Sequence, residues 1–109
     1  MKTVRMGELE LAALLCVARL GADAYGASVR RGLSERAGRD CAVGAVYTTL
    51  QRLEDKGLIA SEMSEPVAVR GGRARRCFRL TAAGVRALAY EREMRAALWK
   101  GVPAGLRAT

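Results

Sequence analysis

Histidine is absent from this 109-residue sequence, and its three cysteines, Cys16, Cys41 and Cys77, stand far apart. Without histidine no zinc-ligand spacing exists, and three scattered thiols argue against a disulfide framework. Cys16 falls in an apolar stripe and Cys77 in an expected strand, so both are expected to be buried, small apolar residues. Cys41, in an expected turn, is the candidate for any redox role. Catalytic constellations are missing as well. No cysteine is paired with a base, no glycine-rich phosphate loop opens a helix, and the acids Glu54 and Asp55, like Glu91 and Glu93, point in different directions on their helices. The expectation is a protein that is not an enzyme and needs no metal or cofactor. Long apolar runs are lacking too. Glu8 and Glu10 interrupt the start of the N-terminal apolar run, and the uncharged stretch Leu11 to Ala18 falls well short of the about 20 residues a membrane-spanning helix requires. A cytoplasmic protein with no membrane segment is expected.

What the sequence does have is positive charge. Lysine and arginine number 19 against 11 acids, a formal charge of +8, and half of the residues are hydrophobic. That combination fits one small globular unit attracted to polyanions, with nucleic acid ahead of an anionic membrane surface. The excess is also concentrated. Arg70, Arg73, Arg75, Arg76 and Arg79 lie between Val69 and Leu80 with no acid among them.

Hydrophobic spacing divides the chain into elements. Leu11, Leu14, Leu15 and Ala18 share one face of a helix from Glu8 to Leu20, which Gly21 stops. Tyr25, Val29, Leu33 and Ala37 form the apolar side of a second helix, closed by Gly38. A third helix begins near Cys41, with Val43, Val46, Leu50 and Leu53 inward, and ends at Gly57. Leu58 to Met63 and Arg75 to Leu80 read as the strands of a hairpin. In the second strand Arg76, Phe78 and Leu80 share one face and Arg75, Cys77 and Arg79 the other. Thr81 is a suitable N-cap for a last helix from Ala82 to about Lys100, followed by a tail marked by Pro103 and Gly105.

Three helices followed by an arginine-rich hairpin is the order of a winged helix-turn-helix. The fold class expected is therefore mainly α with a small β-hairpin, plus a long C-terminal dimerisation helix. Residues 1–80 would be the DNA-binding domain and residues 81–109 the dimerisation helix and tail. The wheel of the third helix turns Gly44, Ala45, Thr48, Gln51, Arg52 and Asp55 outward, with Tyr47 at the flank. A DNA major groove about 12 Å wide admits one such helix, so Arg52 could pair with guanine, Gln51 with adenine, and Thr48 with a base or a phosphate. The hairpin tip, with Arg70, Gly71, Gly72, Arg73 and Arg75, would bring backbone and cations close to phosphates.

The blocks MGELELAALLCVARLGADAYGASVRRGL, VGAVYTTLQRLEDKGLI and RGGRARRCFRLTAAGVRAL together resemble the PadR family of bacterial transcriptional regulators, over nearly the whole chain from Met6 to about Trp99. The resemblance implies that Tyr47 lies in the recognition helix, that Gly71 and Gly72 lie in the wing, and that the last helix forms a homodimer. Many members carry several C-terminal helices, and this chain is similar to the short subgroup with one. The apolar surface of that helix, notably Leu88, Tyr90, Met94, Leu98 and Trp99, is too large to hide against so small a domain and is expected in a dimer seam. By the same resemblance the seam could enclose a small hydrophobic effector, with Met94 and Trp99 as its lining candidates. The expected function is a homodimeric repressor on double-stranded DNA carrying an inverted-repeat operator. The alternative is a winged-helix interaction module whose basic hairpin docks an acidic protein partner.

Overall fold

The computed structural model of the chain describes residues 5–64 and 75–106. Helix α1 (Glu8–Leu20) starts at Gly7, whose N–H donates to Glu10 Oε1 at 2.8 Å. Glu8 and Glu10 in the first turn complement the positive end of the helix dipole, and Gly21 closes the helix with φ at 58°. After a 3₁₀ turn (Gly21–Asp23), α2 (Gly26–Ala37) is fastened by a buried serine. Ser28 Oγ accepts from the Tyr25 N–H at 3.0 Å and donates to the Asp23 carbonyl at 2.6 Å. Gly38, left-handed at φ 63°, ends α2 as its position in the sequence suggests.

Helix α3 (Val43–Asp55) follows across a loop that Arg30 holds by donating from Nε to the Cys41 carbonyl at 2.7 Å. Strands β1 (Ile59–Met63) and β2 (Arg76–Leu80) pair antiparallel, with Ile59 opposite Leu80 and Ser61 opposite Phe78. The hairpin is tied to the helical body at one edge, because the Phe78 N–H donates to the Ala24 carbonyl at 2.8 Å and Tyr25 bridges to Cys77. Thr81 caps α4 (Ala82–Trp99) by accepting from the Gly84 N–H at 3.0 Å, and its hydroxyl donates to the Gly57 carbonyl at 2.6 Å. One side chain thus joins the end of the third helix to the start of the fourth.

The core lies where α1, α2, α3 and the hairpin meet. Leu14 and Val17, Val29 and Leu33, Val46, Leu50 and Leu53, Leu58 and Ile59, and Phe78 are all buried. Fully burying each such side chain is worth about 1.5 to 3 kcal/mol, which makes this cluster the main source of stability. Helix α4 approaches it closely through Gly84, where an added Cβ would collide with the Leu58 carbonyl oxygen.

The structure departs from the sequence expectation in three places. In α1 only Leu14 of the expected stripe is buried; the inward face is Ala13, Leu14, Cys16 and Val17, whereas Leu15 and Ala18 are exposed and Leu11 is half-buried. The cause is that α1 is packed by α2 and α3 on one side and by α4 on another, so leucine spacing mixes two apolar faces. Val43 is 50% exposed because it stands on the first turn of α3, beyond the reach of the core, and Ala37 is exposed for the same reason at the end of α2. Cys77 is only half-buried, since its side of β2 faces outward beside Arg75 and Arg79. Among the described residues no helix is long and apolar enough to cross a membrane.

Candidate nucleic-acid interface

Helix α3 buries Val46, Thr49, Leu50 and Leu53, and this sets what it shows on the other side. Gly44, Ala45, Thr48, Gln51, Arg52 and Asp55 are all exposed, as the wheel requires. Thr49 is turned inward at no cost in unmet polarity, because its Oγ1 donates to the Ala45 carbonyl at 2.8 Å. Tyr47 is 43% exposed and lies across the start of α2, where the space a Gly26 Cβ would take is filled by the tyrosine hydroxyl end. The ring thus packs the two helices of the motif together while leaving an edge in solvent.

Gln51 leans to the hairpin side: its Nε2 donates to Asp55 Oδ1 at 2.9 Å, and its Oε1 lies 3.4 Å from Arg76 Nη2. Arg52 is exposed, and its positive charge also acts on Glu10 in the first turn of α1. Burial pushes the Glu10 carboxyl up, but Lys56 at 2.9 Å, the Gly7 N–H and Arg52 outweigh it and hold the group below its ordinary value.

The base of the wing stands beside α3. The Arg75 guanidinium covers the Tyr25 ring at 4.4 Å from its centroid, a cation–π contact that holds an exposed arginine at the start of α2. The strand ends are clamped by two bonds between Ser64 and Arg75, at 2.6 and 2.8 Å. Arg76 points the opposite way. Its Nη2 donates to Glu54 Oε1 at 2.5 Å and its Nε to Ser61 Oγ at 3.0 Å, so it joins β2 to β1 and α3. Arg79 is exposed. The expected contacts Arg70, Gly71, Gly72 and Arg73 lie outside the described residues. From the sequence, Tyr25 reads only as an apolar residue and Glu54 only as a non-catalytic acid, and Ser61 carries no assigned role. Only the alternation of β2, which puts Arg76 on the face of Phe78, hinted that this arginine turns inward.

Helix α4 carries the second surface of interest. Beyond Met94 every residue of the helix is exposed, Leu98 to 69% and Trp99 to 53%. Leu88 and Met94 are half-buried and Tyr90 is exposed. Leu11 and Leu15 of α1 and Leu88 and Ala89 of α4 line an apolar groove of about 390 Å³. Arg95 closes its rim by donating to Glu8 and Glu91 at 2.9 and 3.0 Å. Met94 and Trp99, five positions apart, sit about 140° apart around the helix, so within one chain they share no face.

Residues 14–90 match the transcriptional regulator PadR-like family. Among solved structures, the chain is similar to a PadR family transcription regulator from Clostridium difficile R20291, with 26% identity, a TM-score of 0.73, and coverage of 86% of this chain and 93% of that one. It is also similar to a PadR family transcriptional regulator from Eggerthella lenta, with 28% identity, a TM-score of 0.64, and coverage of 93% and 89%. A PadR-like transcriptional regulator from Bacillus cereus shares the fold at 19% identity and a TM-score of 0.71, over 93% of each chain. No curated protein matches the sequence. With the winged helix-turn-helix, the hairpin and the family match all in place, the chain belongs to the PadR-like family of transcriptional regulators.

Proposed function

We propose that this regulator is a homodimer that binds an inverted-repeat operator in double-stranded DNA and represses transcription from it. Helix α3 enters the major groove with Ala45, Tyr47, Thr48, Gln51 and Arg52, while the wing, with Arg70, Gly71, Gly72, Arg73 and Arg75, follows the adjacent phosphates. The observation that carries this reading is the polar outer face of α3 lying next to the wing base, so that one duplex can touch both. Residues 1–80 act as the DNA-binding domain. Residues 81–109 supply the dimer contact through Leu88, Tyr90, Met94, Leu98 and Trp99, and the work is done in the cytoplasm. A small hydrophobic effector held at the seam, against Met94 and Trp99 from different subunits, would release the operator by shifting the spacing of the two recognition helices.

Selection of bound fragments from a random DNA pool by the purified protein tests this. Two-fold symmetry predicts paired half-sites about one helical turn apart, near 10 base pairs, or a multiple of it. Enrichment of unpaired sites, or none, would contradict it. If unrelated duplex fails to compete for the wing, the basic surface serves an acidic protein partner instead.

A further inference from the structure

The five arginines of the hairpin are not equivalent. Arg75 covers an aromatic ring and has no acid partner among the described residues, whereas Arg76 is matched by Glu54, and Ser61 Oγ closes the triangle by donating to Glu54 Oε2 at 2.8 Å. The side chains of Arg76 and Glu54 are 39% and 27% exposed, so the pair is partly withdrawn from water. The Arg76 Nη2 that binds Glu54 also faces the carbonyl oxygen of Gln51, whose amide nitrogen is taken by Asp55. The Gln51 amide is thereby held in one orientation, oxygen toward the wing. A guanidinium offers several donors in a fixed plane, and here Nε and Nη2 are spent on protein.

We infer that Arg76 is a positioning residue for base readout and not a phosphate ligand. It locks the wing strands to the outer face of α3 through Glu54 and Ser61 and presents Gln51 to the groove in a set orientation. Because its charge is cancelled by Glu54, it releases no counterions and adds nothing to the salt dependence of binding, in contrast to Arg75. This inference rests on the DNA-binding reading above.

The test compares the duplex that the wild-type protein selects most strongly from a random pool with a scrambled duplex of the same composition and length, over a range of KCl concentrations. Folding of each variant is checked by thermal unfolding. Arg76→Lys keeps the charge and loses the planar fork. A phosphate ligand would tolerate this change, while a positioning residue would not. The expected result is that Arg76→Lys lowers the ratio of selected to scrambled affinity by about tenfold, the size of coupling usual for residues in one network, and leaves the slope of log K against log[KCl] on scrambled DNA unaltered. Glu54→Gln attacks the pair from the other side. It should lower the same ratio while steepening the slope by up to about 0.9, because Arg76 is then free to meet a phosphate. Wild-type affinity ratio in Arg76→Lys, or a slope that falls by about 0.9 in Arg76→Met, overturns the inference. A wild-type protein that prefers no sequence overturns the DNA-readout reading itself, and the inference with it.

Discussion

Individual side chains in this protein are asked to do different things by the same charge. Arg52 stands exposed on α3, Arg75 is stacked on Tyr25, and Arg76 is paired with Glu54. Arg52→Ala should therefore relax preference at particular base pairs by about 1 to 3 kcal/mol in binding assays with mutated operators, whereas Arg75→Ala should weaken all sequences alike. Gly84 is the most constrained glycine of the α4 contact. Gly84→Ala forces a methyl group against the Leu58 carbonyl and should cost about 1 to 3 kcal/mol in denaturant unfolding, against the gain that alanine normally brings to a helix. Glu10 gives a pH signature. Its carboxyl is held below the ordinary value in the folded chain, so its contribution is complete above that value and is lost as pH falls through the folded one. Glu10→Gln should cost about 0.2 to 1 kcal/mol at neutral pH, and the difference from wild type should be smaller at acidic pH, below the ordinary glutamate range. Equal loss at both pH values would mean that the contact works through shape and not charge.

At the scale of elements, what could be read from the sequence depended on how many partners an element has. Helix α2 and the cap of α4 were legible because local chemistry decides them: Gly38 must take a left-handed turn, and Thr81 must satisfy the free N–H groups of α4. Helix α1 was legible as a helix, and its faces were not, because Leu11 and Leu15 serve the α4 groove while Leu14 and Val17 serve the core. The outward face of α3 followed from periodicity, since one strong apolar side leaves the rest to solvent. Alternation put Arg76 on the face of Phe78, but its partner was not legible, because Glu54 stands 22 positions away in sequence and only the folded chain brings it near. Helix α4 remains the element with most unmet apolar surface. Leu98→Glu places a charge on it far from the core of its own chain, and, on the proposed homodimer, should shift the protein from dimer to monomer in sedimentation experiments while leaving the unfolding of the helical body cooperative. Burial of a leucine at about 1.5 to 3 kcal/mol corresponds to roughly a tenfold to hundredfold weaker association. An unchanged sedimentation coefficient would place the dimer contact elsewhere.

The whole molecule divides its surface by charge and polarity. One side shows the polar face of α3 and the base of an arginine-rich wing, while α4 carries an apolar strip past the end of the body. A net charge of +8 draws a polyanion to the chain from any direction, so affinity alone does not identify the binding face. The position of the contact does. Two-dimensional amide NMR spectra of the protein, recorded as its selected duplex is added, report that position residue by residue. The largest shifts should fall on Gly44, Ala45, Thr48, Gln51 and Arg52 together with Arg75, in one saturable event, while Leu11, Leu15 and Leu88 in the α1–α4 groove stay still. Shifts confined to that groove, or spread evenly over every lysine and arginine, would contradict it.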